Sequence, residues 1–346
     1  MKIGLCNTNE RVALIAEVGN NHEGSVKVAR EMIRVAHDCG ADAVKLQSLI
    51  PELFVSPRDP ARLAQMRNFA LAQEEYVTLI EEAAADGITV FSTPLDLSSL
   101  KTLAPVASLL KISSGDITYR QLLEEASDTG LDVILSTGAS SLSEVARAVE
   151  VFESAWSSAD VSPKLALLHC VSAYPAPPAA LNLRAIRTLG DSFPHCIVGY
   201  SDHALGNGAA LNAVAVGARI IEKHFTLDHN YSGFRDHALS ADPTEFAKLR
   251  TELTELESML GSGEKAPAES EREARQQIRR SVKTRRALLE GDRVASDDVI
   301  CQRPETGVGA WSASAVVGRR VVHAIPPGTP LQLDDLSQQE NSLCVE

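Results

Sequence analysis

Short apolar runs alternate with longer amphipathic segments along the first two-thirds of the chain. The runs read Ala13-Leu14-Ile15-Ala16-Glu17, Ala43-Val44-Lys45-Leu46-Gln47, Thr89-Val90-Phe91-Ser92, Leu109-Leu110-Lys111-Ile112-Ser113-Ser114, Asp132-Val133-Ile134-Leu135-Ser136, Lys164-Leu165-Ala166-Leu167-Leu168-His169, Cys196-Ile197-Val198-Gly199-Tyr200-Ser201-Asp202-His203 and Arg219-Ile220-Ile221-Glu222-Lys223-His224. Such short, unbroken apolar stretches fit parallel strands buried on both faces. Helical patterns between them make right-handed βαβ units the natural connection, and eight units close a (β/α)8 TIM barrel. In that fold catalytic groups sit at the carboxyl ends of the strands, which is where the polar residues of these runs fall.

The intervening helices are marked by their ends. Ser25 offers an N-cap to a helix over Val26 to Cys39, and Gly40 follows where a C-terminal cap belongs. Glu74 to Ala85, Ser143 to Phe152, Gly206 to Gly217 and Thr244 to Leu260 repeat the design. Residues 1–260 therefore read as the barrel. From Gly261 the texture turns polar and charged, so 261–280 reads as a linker. Beyond it, 281–346 carries short β-branched pieces broken by Glu290-Gly291-Asp292, Glu305-Thr306-Gly307 and Pro326-Pro327-Gly328. A small, mostly β domain is predicted there, too small to be very stable unless it docks on something.

Composition narrows the class. The 346 residues are 44% hydrophobic, and no stretch is apolar for long enough to span a bilayer. The first ten residues lack an apolar signal core, and six scattered cysteines form no CxxC pair, so a reduced, cytoplasmic setting is expected. A net charge of −13 argues against nucleic acid or an anionic membrane as partner. An anionic substrate then requires a local cluster of cations, for which Lys45, Lys111 and Lys223 are the candidates.

His203 and His224 end the seventh and eighth runs, adjacent in a barrel, and two imidazoles at one rim can bind a divalent transition metal with positions left open. Either His alone could instead simply bond a loop carbonyl. Lys45 and Lys111 lie inside otherwise apolar strands, where lysine is rarely buried without an anion. They could meet a ligand, pair with Glu17 or Asp116, or, as a desolvated amine, form a Schiff base. Ser92-Thr93, Ser113-Ser114-Gly115, Ser136-Thr137-Gly138 and Ser172 bring hydroxyls and backbone amides to the same rim, as phosphate or carboxylate oxygens require. Glu17 and Asp116 are the carboxylates placed for proton transfer. Trp156 and Trp311 are expected to pack.

These residues also form an ordered series of motifs. Ile15-Ala16-Glu17-Val18-Gly19-Asn20-Asn21-His22-Glu23-Gly24-Ser25, Phe91-Ser92-Thr93-Pro94, Lys111-Ile112-Ser113-Ser114-Gly115-Asp116, Ile134 to Gly138, Leu168-His169-Cys170-Val171-Ser172-Ala173-Tyr174-Pro175, Ser201-Asp202-His203 and Glu222 to Thr226 resemble the sialic acid synthase family. Arg279-Arg280-Ser281 and Gln302-Arg303-Pro304 resemble its antifreeze-like (SAF) domain. The resemblance implies condensation of phosphoenolpyruvate with an N-acylated mannose-like aldose, giving a nine-carbon 2-keto-3-deoxy acid and phosphate by C–O cleavage. It implies Mn2+ or Mg2+ on His203 and His224. Lys45, Lys111, Ser114, Ser136 and Ser172 would cradle the enol phosphate, with Ser92 and Ser201 completing the lining. Gln47, Tyr174 and Asp236 would face the sugar, and Glu17 and Asp116 would move protons. A domain-swapped homodimer would bring Arg303 over the partner's site.

Three positions depart from the family pattern. Asp116 stands where many members have Glu, which draws the carboxylate back by about 1.5 Å. Phe234-Arg235 replaces the usual Gly-Pro before Asp236, and Glu305 replaces a common Gly. All three touch the sugar side or its lid. A different carbonyl acceptor, including an acidic or phosphorylated one met by Arg235, is the nearest alternative; a pyruvate lyase and a non-catalytic sugar-binding protein are the others.

Overall fold

A computed structural model describes residues 1–159 and 164–338, which divide into two units, Met1–Gly261 and Ser262–Glu346. The first is a barrel of eight parallel strands: β1 Ala13–Gly19, β2 Ala43–Ser48, β3 Val90–Pro94, β4 Leu109–Ile112, β5 Asp132–Ser136, β6 Leu165–Cys170, β7 Ile197–Asp202 and β8 Ile220–His224. Their ladder runs β3-β2-β1-β8-β7-β6-β5-β4, and β3 and β4 pack side by side across the remaining gap. This is the TIM-type architecture that the eight runs predict.

Strand alternation sorts the side chains into two sets. Ile15, Ala43, Phe91, Leu109, Ile134, Ala166, Leu168 and Ile220 fill the lower interior, joined by Met1, Ile3 and Cys6 of a short hairpin that plugs the amino-terminal end. Leu14, Ala16, Val44, Leu46 and Ile221 point outward to the helices. Because the period is two, any residue two or four places beyond an interior one also faces in. That rule brings Glu17, Lys45, Gln47, Thr93, Lys111, Ser136, Cys170, Ser201, Glu222 and His224 to the interior near the carboxyl ends.

The outer helices form for reasons already visible in the chain. Val26–Asp38 buries Ala29, Met32, Ile33 and Ala36, the spacing of one helical face, and Ser25 accepts Val28 N–H at 3.3 Å as its cap. Such a cap contributes about 1 kcal/mol. Leu142–Ala159 runs further than the predicted 143–152, and Trp156 packs in it with its indole N–H on Ser127 O at 3.1 Å. Trp311 does not pack: it is 101% exposed in a 3-10 turn, so that expectation is corrected.

Within the second unit, Ser281–Thr284 and Val299–Gln302 pair antiparallel over a core that includes Val282, Leu288, Val294, Val316 and Leu331. A helix, Arg272–Ile278, occupies the stretch read as linker. Among the described residues no helix is long and apolar enough to cross a membrane.

Candidate active site

The barrel mouth is organised around one buried ammonium shared by two carboxylates. Lys45 Nζ lies 3.1 Å from Glu17 Oε2 and 3.4 Å from Glu222 Oε1, and it donates to Thr93 Oγ1 at 3.2 Å. Pairing in the ladder sets this up, since Glu17 on β1 registers with both Lys45 on β2 and His224 on β8. Gln47 donates to Glu17 Oε1 at 2.7 Å, and Ser201 to Glu222 Oε1 at 2.9 Å. Gly19 is required here. Its φ of +54° turns the chain at the end of β1, and a Cβ would crowd Glu17 Oε1 at 3.1 Å.

Burial raises the Glu17 carboxyl above its ordinary range even though Lys45 opposes the shift. Burial acts the same way on Glu222, but Lys111 and Lys45 outweigh it and hold that group near about 2. The same two carboxylates overcome burial at Lys45 and raise it.

Lys111 differs. It is 2% exposed, yet it contacts only neutral oxygens, Ser136 Oγ at 2.7 Å and its neighbour's Ile112 O at 3.1 Å, with no carboxylate in ion-pair range among the described residues. Burial therefore pulls it down to about 8. Glu222 opposes that shift only from a distance, and a buried cation with no anion in contact is costly unless a ligand completes it.

Small groups gather beside that ammonium. Gly138 N–H donates to Ser114 Oγ at 3.0 Å, and Ser114 Oγ contacts Cys170 Sγ at 3.1 Å. A Cβ on Gly138 would fall 2.6 Å from Cys170 Sγ and from Ser172 Oγ, so glycine alone lets these three loops converge. The result is a cradle of hydroxyls and one amine.

The two histidines meet on the other side of the mouth, ring centroids 5.5 Å apart. His203 Nδ1–H donates to Val171 O at 2.7 Å, which fixes the tautomer and leaves Nε2 with its lone pair, approached by the Tyr174 hydroxyl at 3.2 Å. The His224 imidazole makes no protein hydrogen bond among the described residues and is kept neutral, first by burial and then by His203. Two neutral imidazoles, one oriented from behind by a carbonyl, are a donor set that fits a divalent transition metal. A second group of metal-type donors, His229, Asp242 and Glu245, is already engaged, because Asp242 and Glu245 close the capping box of helix Pro243–Leu260. A groove of about 680 Å³ on the outer wall, lined by Arg120, Glu124 and Arg147, gathers no such set.

Two expectations, for Ser92 and Lys223, are corrected. Ser92 turns outward, its hydroxyl on Leu46 O and Ser48 Oγ, and Thr93 is the hydroxyl that faces Lys45. Lys223 also points outward, bound to Asp202 Oδ2 at 2.8 Å and to Ala204 O and Gly206 O. Asp116 pairs with neither lysine but accepts Ser113 Oγ at 2.5 Å within its own turn. Asp236 opens a short helix, Arg235–Leu239, and receives Arg235 Nε at 3.2 Å. Arg303 is exposed in the second unit, where its carbonyl accepts Lys283 Nζ. The sequence reading named both Ser92 and Thr93 without telling which faces in, and it missed the central position of Glu222. Both follow from alternation, counted from Phe91 and from His224.

Family models match this chain in two places, NeuB over residues 32–265 and the SAF domain over 279–337. It is 37% identical over 332 residues to an N,N'-diacetyllegionaminic acid synthase of Legionella pneumophila, covering 92% of each chain. With the human N-acetylneuraminate-9-phosphate synthase it shares 29% over 297 residues, 82% of this chain and 81% of that one. Among solved structures, the N-acetylneuraminic acid synthetase of Leptospira borgpetersenii in complex with citrate superposes at TM-score 0.73 with 38% identity, covering 79% and 94% of the two chains. On the converging lysines, carboxylates and histidines, together with these matches, the chain belongs to the NeuB family and carries a SAF domain.

Proposed function

We propose that this chain is a phosphoenolpyruvate-dependent condensing enzyme that joins an aldose to make a 2-keto-3-deoxy acid of the sialic type. The observation that carries the reading is Lys111, a buried ammonium set among Ser136, Ser114 and Gly138 and in contact with no described carboxylate. Relatives that make legionaminic and neuraminic acids support the sugar half of the reaction.

In this reading Lys111, Ser114, Ser136 and Ser172 bind phosphoenolpyruvate, and Lys45 steadies its negative charge while holding Glu17 and Glu222 in place. C3 of the enol attacks the aldehyde carbon, forming the C–C bond and leaving positive charge at C2. Water adds to C2; Glu17 and Asp116 take up and return its proton. Collapse of the resulting hemiketal breaks the C2–O bond, releases inorganic phosphate and leaves the ketone. His203 and His224 would hold Mn2+ or Mg2+, which when bound polarises the aldehyde oxygen as a Lewis acid. Gln47, Tyr174 and Asp236 orient the sugar hydroxyls, and Ser201 keeps Glu222 aligned.

The SAF domain of one chain caps the mouth of a second in a domain-swapped homodimer, bringing Arg303 to the sugar. Its small core and the exposed Arg303 support this arrangement. A cytoplasmic location is in keeping with the described cysteines, all of which are free.

Phosphoenolpyruvate incubated with a panel of aldoses, followed by product mass, tests the reading. One acceptor is expected to give the keto acid, and EDTA to abolish it until Mn2+ is restored. No product from any aldose refutes the condensation, and full turnover in EDTA or by His203→Ala refutes the metal. The lowered Lys111 favours one rival, imine chemistry, which borohydride trapping on that lysine would reveal.

A further inference from the structure

Three consecutive residues of β8 divide their work. Glu222 and His224 face the barrel interior, whereas Lys223 between them points outward and is buried with them. It pairs at 2.8 Å with Asp202, its neighbour in the ladder, and the two side chains are 2% and 0% exposed. An ion pair taken this far out of water gains little stability over an apolar pair of the same size. What it supplies is geometry, and the other bonds of the ammonium show where.

Lys223 Nζ donates to Ala204 O at 2.6 Å and to Gly206 O at 2.9 Å. Asp202 uses its second oxygen to accept Ala204 N–H at 2.9 Å. Gly206, at a φ of +70°, makes the turn that brings its carbonyl back to the ammonium. Residues 202, 204 and 206 are thus fastened to one point on β8, and His203 lies among them. With three protons on three acceptors, the ammonium has none left for a substrate anion.

The ladder between β7 and β8 ends at Asp202 and Lys223, one residue short of both imidazoles. Past that point the Lys223 side chain carries the pairing on, joining the loop of His203 to the strand of His224. The ring centroids stand 5.5 Å apart across this joint. Ala176 N–H on His203 O at 2.9 Å and the Nδ1–H bond to Val171 O orient the ring, but both come from the loop after β6. They fix which way His203 faces; Lys223 fixes how far it stands from His224.

We propose that Lys223 is a positioning residue for the histidine pair, setting through Asp202, Ala204 and Gly206 the spacing of His203 from His224 that a divalent cation requires. This rests on the metal reading above and adds to it a residue that touches neither cation nor substrate.

Mn2+ binding to the substrate-free protein, read from the loss of the free-ion electron paramagnetic resonance signal, tests this without turnover. His203→Ala should abolish the binding, which assigns the ion to this pair. Lys223→Met should raise the Mn2+ Kd about 10- to 100-fold. Phosphoenolpyruvate binding measured in EDTA should hold, since Lys111 and Ser136 lie on other strands. Methionine strands the Asp202 carboxylate in the interior and costs stability. Asp202→Asn/Lys223→Met, which removes both charges and keeps an acceptor for Ala204 N–H, is therefore measured beside it. The same rise in Kd is expected there, at a Tm closer to wild type. Phe152→Leu, a core change in the outer-wall helix, should lower Tm and leave the Kd where it was.

A Mn2+ Kd unchanged in the double variant makes Lys223 a structural ion pair only and overturns the proposal, leaving the metal reading intact. Wild-type protein that binds no Mn2+ removes the metal reading and the proposal together.

Discussion

Replacing Lys45 by Met removes the one cation between two buried carboxylates. At 3.1 and 3.4 Å, and an effective dielectric of ~20, each attraction amounts to roughly 5 kcal/mol. Against that loss stands the desolvation that the ammonium no longer suffers, which for buried pairs offsets much of the Coulomb energy. Breaking such a pair from one side leaves a net cost of about 3–5 kcal/mol. At about 3 °C per kcal/mol for a domain of this size, Tm should fall by roughly 10 °C.

The cost has a sign in pH. Without Lys45, Glu17 loses the charge that most opposes its burial while Glu222 still raises it, so the folded state holds a proton that the unfolded chain has released. Stability of the variant should therefore fall as pH rises from the ordinary carboxylate range through the raised folded pKa, and stay low above it. Denaturant unfolding of wild type and variant across the range from about pH 5 to 8 reads this directly. The gap should widen with pH. A difference below about 1 kcal/mol, or one that is the same at both ends, would refute the shared-cation account.

Two further perturbations probe the anion cradle. Lys111 titrates near about 8, so the KM for phosphoenolpyruvate should be flat below that pH and climb up to about tenfold per unit above it, as the ammonium is lost. Lys111→Arg, which stays charged, should remove the alkaline limb; an unchanged profile would detach Lys111 from the anion. Gly138→Ala would drive a Cβ to 2.6 Å from Cys170 Sγ and Ser172 Oγ, so phosphoenolpyruvate binding should weaken more than tenfold at a stability cost of only about 1–3 kcal/mol. Normal phosphoenolpyruvate affinity in that variant would show that the three loops do not form the binding surface.

Much of this was legible in the chain because a parallel barrel writes itself as apolar runs with polar ends. Lys45 and Lys111 could be picked out since nothing in an apolar strand accounts for a lysine. Less legible was which face each end residue takes. Ser92 and Thr93 differ by one position, and the strand had to be placed at Val90–Pro94, not 89–92, before alternation turned Thr93 inward. The same parity sends Glu222 in and Lys223 out.

Partnership was not legible at all. That Lys45 meets two carboxylates and Lys111 none depends on the stagger between neighbouring strands, a property of the closed ladder and not of any one segment. Short helices such as Pro51–Phe54 and Arg235–Leu239 escaped notice because four or five residues carry no periodicity. The approach of Arg235 to the Tyr174 ring appears only when the loops after β6 and β8 are brought together.

Phosphoenolpyruvate carrying 18O in the bridging position tests the central claim most directly. Attack by C3 and addition of water at C2 predict that every label leaves in inorganic phosphate, one phosphate for each keto acid formed. Label retained in the keto acid, or product formed without phosphate, would contradict it.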